Sequence, residues 1–393
     1  MQVTIIGGGM ITHDQILPSF YQLQRLGLVD EIAVCARHEQ TLQTLAGSPL
    51  LSEAFPRQSF HSYIGPYRDA LAQTPARNVA VVALPDHLHF DGVMAALRAG
   101  QHVLVVKPLV MKLAEAETIE REALSRGLFV GIEYHKRFDD RSLLARHRYR
   151  AGEFGEFRLG TAWLMEKWYY RHSNFQNWCT SENSDAFAYI GCHYVDLVHF
   201  ITGLLPVSVS VYGIKDQYPN GNDGFLWTDA RVIWSNGACL NVQNSLSFPD
   251  EAPGTNTQGL TLYCSGRTNG ALIRHSDQYR GIEHVYIARP KAPGSTIYAE
   301  PSPDYFQYVE LGNAGLMPVG YGYRSIEYLF RCCLRVESAV DRKQVISDID
   351  REGIAATPAN SRYNEQVIEA ARRSILNGGL AVSIGTHTET TGK

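Results

Sequence analysis

The sequence predicts an α/β amino-terminal domain followed by an α+β domain, and three observations carry that prediction. Up to about residue 135, apolar runs typical of buried strands alternate with stretches of helical spacing. The first run ends in a glycine cluster, Gly7-Gly8-Gly9. Beyond residue 150 the runs lengthen, alternate, and turn on Asn-Gly pairs, the pattern of antiparallel hairpins. The expected domains are residues 1–135 and residues 136–393.

Taken in order, "QVTIIGGG" is a strand closed by glycines. "MITHDQILPSFYQLQRLG" has helical spacing, with Ile16, Phe20, Leu23 and Leu26 on one side. "EIAVCAR" is a second strand and "EQTLQTLAG" a short helix. "NVAVVALP" leads into "DHLHFDGVMAALRAG", a helix closed by Gly100. "HVLVVKP" and "LFVGIEY" are further strands, with the helix "AEAETIEREALSRG" between them. Strands this continuously apolar belong to a parallel sheet covered on both faces. The charged segment "HKRFDDRSLLARHRYRAGEFG" then leads out of the sheet. In the second domain, "DARVIWSNGACLNVQNSLSF" turns on Ser235-Asn236-Gly237 and "GLTLYCSGRTNGALIRH" on Thr268-Asn269-Gly270. Helices are expected near 185–203 and 324–342, and a last one in "NSRYNEQVIEAARRSILNGG" can pack on either domain.

Composition narrows the partners. A net charge of −4 over 393 residues gives no basic field for nucleic acid or an anionic membrane. No window is apolar for long enough to span a bilayer. Seven cysteines, two of them adjacent at Cys332 and Cys333 and none in a CxxC pair, fit neither a disulfide framework nor a zinc site. Reduced thiols in the cytoplasm are the expected state.

Several residues carry chemistry. The Gly7-x-Gly9 spacing between strand and helix suits a dinucleotide, whose pyrophosphate can approach the backbone at the helix start. Thr12 stands where the full fingerprint has its third glycine. The next strand ends in Ala36-Arg37 where an acid normally meets the ribose hydroxyls. A guanidinium there pairs with a 2′-phosphate, so NADP is favoured over NAD, unless Arg37 is only a surface residue. Lys107 ends the strand of "HVLVVKPLV", where open α/β sheets bind ligands, or else reaches out to solvent. "EKWYYRHSNFQNWCTSEN" mixes aromatic, amide and guanidinium groups suited to a carbohydrate. Trp168, Arg171, Asn174 and Trp178 are its candidate substrate contacts, together with Asp185. Arg137, in "EYHKRFDD", either reaches the substrate or cofactor or staples the domains, and "GYGYRS" offers Tyr321 and Tyr323 as a second wall. His193 and Asp196, or Asp196 and His199, share a three-residue offset but lack a third ligand, so no metal is expected.

"GGGMI", "ALPDHLH", "AALRAGQHVLVVKPL", "KRFDD" and "GCHYVDLVHFITG" occur in the order seen in the glucose-fructose oxidoreductase/inositol dehydrogenase (Gfo/Idh/MocA) family, which this chain resembles. The resemblance implies an N-terminal Rossmann dinucleotide-binding domain and a second domain with an open, largely antiparallel sheet. It implies NAD(P)-dependent oxidation or reduction of a sugar, glycoside or cyclitol. By motif, Gly7, Gly9, Met10, Ile11, Leu84, Pro85 and His87 would line the cofactor. Lys107 would lie near the nicotinamide and the reacting hydroxyl, with Val106 in place of the family's Glu. His193 matches the catalytic histidine. Four residues before it, many relatives have Asp where this chain has Tyr189. The expected set is therefore Lys107 to stabilise the alkoxide and His193 to take the proton. Tyr189, with a pKa lowered by the ammonium, is a third member unless it only packs. Two further readings are a glycoside-cleaving relative that recycles bound NAD and a non-catalytic nucleotide-binding regulator. An open sheet also implies a homodimer or homotetramer.

Overall fold

The first sheet is six-stranded: β1 (Val3–Ile6), β2 (Ile32–Ala36), β3 (His61–Ile64), β4 (Val79–Val82), β5 (His102–Val106) and β6 (Val130–Glu133). Their order is β3-β2-β1-β4-β5-β6, and every pairing is parallel. This is the doubly wound Rossmann order, whose switch point lies between β1 and β4, beside the glycine turn. The computed structural model describes residues 1–252, 256–266, 270–275, 305–310 and 315–385, and the backbone of two short strands, Ile287–Ala288 and Thr296–Ile297. Strands β1 and β4 are buried throughout, as their unbroken apolar runs require. β3 escaped the sequence reading. It is a short edge strand, mostly exposed, so it carries no apolar signature.

After the glycines the chain makes a π-helical turn, Thr12–Ile16, and continues as the helix Leu17–Arg25. Pro18, which has no N–H to donate, directly follows that π-helical turn. Ile16, Phe20 and Leu23 are buried, whereas Leu26 lies past the helix end and is exposed.

The second sheet runs β12-β11-β7-β10-β9-β8, with the short strand Val382–Ser383 beside β8. Its strands are β7 (Glu156–Lys167), β8 (Pro206–Gln217), β9 (Asp223–Trp234), β10 (Cys239–Phe248), β11 (Asn256–Ser265) and β12 (Gly270–His275). All pairs are antiparallel except β7 with β10. The β9–β10 hairpin turns at Ser235-Asn236-Gly237, where Gly237 takes φ +80° and the Asn236 side chain accepts from Ala238 N at 3.0 Å. β11 and β12 pair as expected, but their turn at Thr268-Asn269 lies outside the described residues.

The helix Tyr321–Glu337 returns to the first sheet. It buries Ile326, Leu329, Phe330, Cys333 and Val336 in one core with Val3, Ile5 and Phe20. The last helix, Tyr363–Leu376, puts Val367, Ala370, Ala371 and Ile375 into the second core, while Ile368 reaches the first domain. Polar pairs also join the two domains: Ser184 Oγ donates to Asp86 at 2.9 Å, and Arg362 pairs with Glu120 at 3.0 Å. Among the described residues no helix is long and apolar enough to cross a membrane.

Candidate active site

Gly7 has φ +108°, and a Cβ there would lie 2.1 Å from the Ala83 carbonyl oxygen. Only glycine lets β1 end this close to β4. A Cβ on Gly9 would meet nothing within 4 Å, so the backbone here is open to a ligand. Thr12 explains the missing third glycine: its hydroxyl donates to Gly7 O at 2.7 Å and ties the turn to the helix start. An open cleft of about 1030 Å³ runs past Gly8, Gly9 and Met10 to Thr41 on one side and Tyr170 and Asn174 on the other. It adjoins an inner cavity of about 550 Å³, sharing Met10, Asp14 and Tyr170 as walls; Ile11 lines the inner cavity. A Cβ-free turn at a helix start, open to a cleft of this size, fits a dinucleotide. Arg37 is exposed just after β2. Leu84 and Pro85 line neither space. The Leu84 carbonyl accepts from His89, which also bonds Pro108 O, and His87 stacks on Trp178 at 6.4 Å.

Lys107 leaves the end of β5 into the inner cavity. Its Nζ sits 3.9 Å from the Tyr189 ring centroid and donates to the Tyr189 carbonyl. The ammonium is thus held by a π face and a backbone dipole, which leaves its charge unneutralised. His193, in the first turn of the helix Cys192–Thr202, lines the same cavity. Its ring lies 4.7 Å from that of His135, and its Nδ1 has no hydrogen-bond partner among the described residues. Burial, followed by the positive charge of Lys107, pushes the His193 pKa well below its ordinary value. The imidazole is neutral at physiological pH.

Three groups missed in the sequence complete the floor. Glu166 on β7 and Asn256 on β11 are cross-strand neighbours, and Gln258 follows on the same face. Burial pushes the Glu166 carboxyl up to about 7, against the opposing pull of Lys107 and Lys136. The Gln258 side-chain oxygen accepts from Lys136 and, at 3.3 Å, from Tyr194. A charged residue in the inward register of an alternating strand, two after Leu164 and four after Ala162, was the available signal.

Residues 1–134 match the oxidoreductase family with an NAD-binding Rossmann fold, and residues 143–268 match the GFO/IDH/MocA C-terminal domain. The chain belongs to the Gfo/Idh/MocA oxidoreductase family. The scyllo-inositol 2-dehydrogenase (NADP(+)) IolW of Bacillus subtilis (strain 168) is 31% identical over 72 residues, 18% of this chain and 20% of that protein. The D-glucoside 3-dehydrogenase of Escherichia coli (strain K12) is 26% identical over 221 residues, 55% of this chain and 58% of that protein. The chain therefore spans a fifth to under three fifths of these curated relatives. The myo-inositol 2-dehydrogenase from Lactobacillus plantarum shares the fold with a TM-score of 0.66 at 16% identity, covering 98% of this chain and 99% of that one. The scyllo-inositol dehydrogenase from Lactobacillus casei, with NAD(H) and scyllo-inositol bound, does so at 0.64 and 13%, covering 98% and 99%.

Within this Gfo/Idh/MocA chain several expectations need correction. Tyr189 lines the cavity, but Lys107 lies over its ring face, and burial drives the phenol well above its ordinary pKa. It is wedged edge-on to Phe175 at 4.6 Å, so it is not a phenolate near neutrality. Asp196 does not pair with His193. It binds Arg137 through two bonds of 2.6 and 2.7 Å, and accepts from Tyr363 and Asn364. Arg137 is therefore a buried staple and lines neither the cleft nor the inner cavity. Arg171 is also buried, 3.6 Å over the Trp168 ring and bonded to Gln217 O and Asp216, which leaves it facing away from the cavity. Trp168 is exposed outside both spaces. Trp178 stands behind Tyr189 at 5.9 Å as a second layer. Asp185 is buried, bonding Ala188 N at 2.8 Å with Arg372 at 4.0 Å, and does not line the cavity. Of the predicted substrate contacts only Asn174 borders a cleft, on the side of the glycine turn. Tyr321 lines the inner cavity.

Proposed function

We propose that this protein is an NAD(P)-dependent oxidoreductase that moves a hydride to or from the hydroxyl-bearing carbon of a sugar, glycoside or cyclitol. The observation that carries the reading is the convergence of Lys107 and His193 on one cavity that adjoins the glycine turn. The bound nicotinamide supplies the hydride acceptor or donor. The turn at Gly7 to Gly9 and the start of the following helix hold the pyrophosphate. Arg37, on the ribose side, favours NADP through the 2′-phosphate. Lys107 points its unneutralised charge at the reacting oxygen and stabilises the developing alkoxide. His193, neutral and with an unpartnered Nδ1, orients the hydroxyl by hydrogen bonding. Tyr189, Phe306 and Tyr321 line the cavity and give it aromatic surface for sugar C–H groups.

We assign the protein to the cytoplasm and to a dimer or tetramer joined through the second sheet, whose outer face exposes Leu159, Tyr212, Tyr263 and Leu272. The test is a panel of sugars, glycosides and cyclitols with NAD+ and NADP+, following absorbance of the reduced nicotinamide. Accumulation of reduced cofactor with at least one polyol supports the reading. Bound cofactor with no turnover across the panel refutes it, and aglycone release without net reduction points to glycoside cleavage instead.

A further inference from the structure

The groups placed so far offer one weak proton acceptor, the neutral imidazole of His193. Lys107 is an ammonium, His193 is held neutral and is a weak base, and Tyr189 keeps its proton. Asp14, the other acid on the cavity wall, is bonded to the His13 ring at 2.6 Å. Glu166 differs from all of these. It projects from β7 into the cavity on the face shared with Leu164, and it forms no ion pair among the described residues. The Asn256 side chain hydrogen-bonds it from the neighbouring strand, while the buried Oδ1 of Asn256 is left without a partner. The two side chains thus present a carboxyl and a free amide oxygen to whatever fills the cavity.

Resting on the function proposed above, we infer that Glu166 is the catalytic acid/base, taking the place of the carboxylate that Tyr189 removed from the helix. In the oxidation, the substrate O–H bond breaks and its proton passes to a Glu166 oxygen. The electron pair left on the substrate oxygen forms the C=O bond as the C–H bond breaks and its hydride reduces the oxidised nicotinamide. Glu166 then gives its proton to water. In the reduction the same carboxyl donates. Asn256 Oδ1 accepts from a second substrate hydroxyl, which favours a vicinal diol over a simple alcohol.

The surroundings suit this task. Lys107 and Lys136 act on Glu166 through their charges, and His135 and, at the start of the first helix, Asp14 line the same cavity. From the second domain come His193 and the phenols of Tyr170 and Tyr305. Burial raises the carboxyl and the lysines limit the rise, leaving it at about 7, where a base near neutrality works best.

The experiment compares wild type, Glu166→Gln and Glu166→Asp. Glutamate-selective carbon NMR of the cofactor-free protein should show one carboxyl titrating near 7 that is absent from Glu166→Gln. A second, Glu365, should titrate near 8 in both and serve as an internal reference. In turnover, Glu166→Gln should lose about 100-fold or more of kcat/KM for polyol oxidation and lose its rise with pH through neutrality, while Glu166→Asp restores part of both. NADPH affinity should be unchanged in all three. Wild-type kcat/KM with an unaltered pH profile in Glu166→Gln would overturn the assignment and leave the oxidoreductase reading standing. A wild type that reduces cofactor with no polyol removes both.

Discussion

Arg137→Met separates a structural arginine from a substrate ligand. In the folded protein the Arg137 guanidinium and the Asp196 carboxylate are each about 2% exposed and joined at 2.6 Å. Burial opposes the charge on Arg137, yet Asp196 and Tyr363 more than offset it and raise its pKa. Removing the cation leaves Asp196 with only Tyr363 and Asn364 as donors. An uncompensated buried charge of this kind costs about 3–5 kcal/mol. With an unfolding entropy of about 2.1 cal/mol/K per residue, that loss corresponds to a melting temperature lower by about 4–6 °C if the chain melts as one unit. Adding Asp196→Asn should recover part of the loss, because the buried charge is then gone. Arg137→Lys should not, since an ammonium cannot replace the bidentate fork. Thermal melts followed by circular dichroism give the stability, and steady-state kinetics on the folded fraction give KM. Unchanged melting with a tenfold higher KM for polyol would refute the staple and restore Arg137 as a substrate contact.

Gly7→Ala forces a side chain against Ala83 O at a left-handed φ. It should cost about 1–3 kcal/mol of stability and abolish NADPH binding measured by nicotinamide fluorescence; wild-type affinity would contradict the role of the turn. Arg37→Ala should weaken NADP+ about 10-fold or more while leaving NAD+ unchanged, as expected for loss of a charge-assisted phosphate contact; equal effects on both would exclude 2′-phosphate recognition. Glu365 gives a pH test. Burial pushes its carboxyl from 4.5 up to about 8. Between those values the unfolded chain has released a proton that the folded chain retains, so stability falls as pH rises through the window. Glu365→Gln should therefore melt close to wild type near pH 4.5 and progressively higher than wild type towards pH 8. A pH-independent difference would sink that account.

The first domain was largely legible because parallel strands buried on both faces leave apolar runs, and β1, β4 and β5 are such runs. β3 was not, since an exposed edge strand has nothing to bury. Gly7 and Lys107 were readable because a backbone conformation and a costly buried charge each leave a mark at a single position. The substrate contacts were not. Arg171 and Trp168 lie in a segment rich in sugar-binding residue types, yet they stack on each other and not on the cavity, and nothing in residue type encodes which way a loop faces. Glu166 went unnoticed for the converse reason. It opens the segment "EKWYYRHSNFQNWCTSEN", which was read for its aromatic, amide and guanidinium groups, and its carboxyl gains meaning only when Lys107, from the other domain, is seen to line the same cavity.

Hydride transfer in this protein turns on the Lys107 ammonium acting on the reacting oxygen beside bound dinucleotide. Single-turnover mixing of Lys107→Met, preloaded with NADP+, against a polyol that the wild type oxidises tests it most directly. Cofactor affinity should stay at the wild-type level while the hydride-transfer rate falls about 100- to 1000-fold, the loss expected when one preorganised oxyanion partner is removed. A hydride-transfer rate indistinguishable from wild type would contradict it.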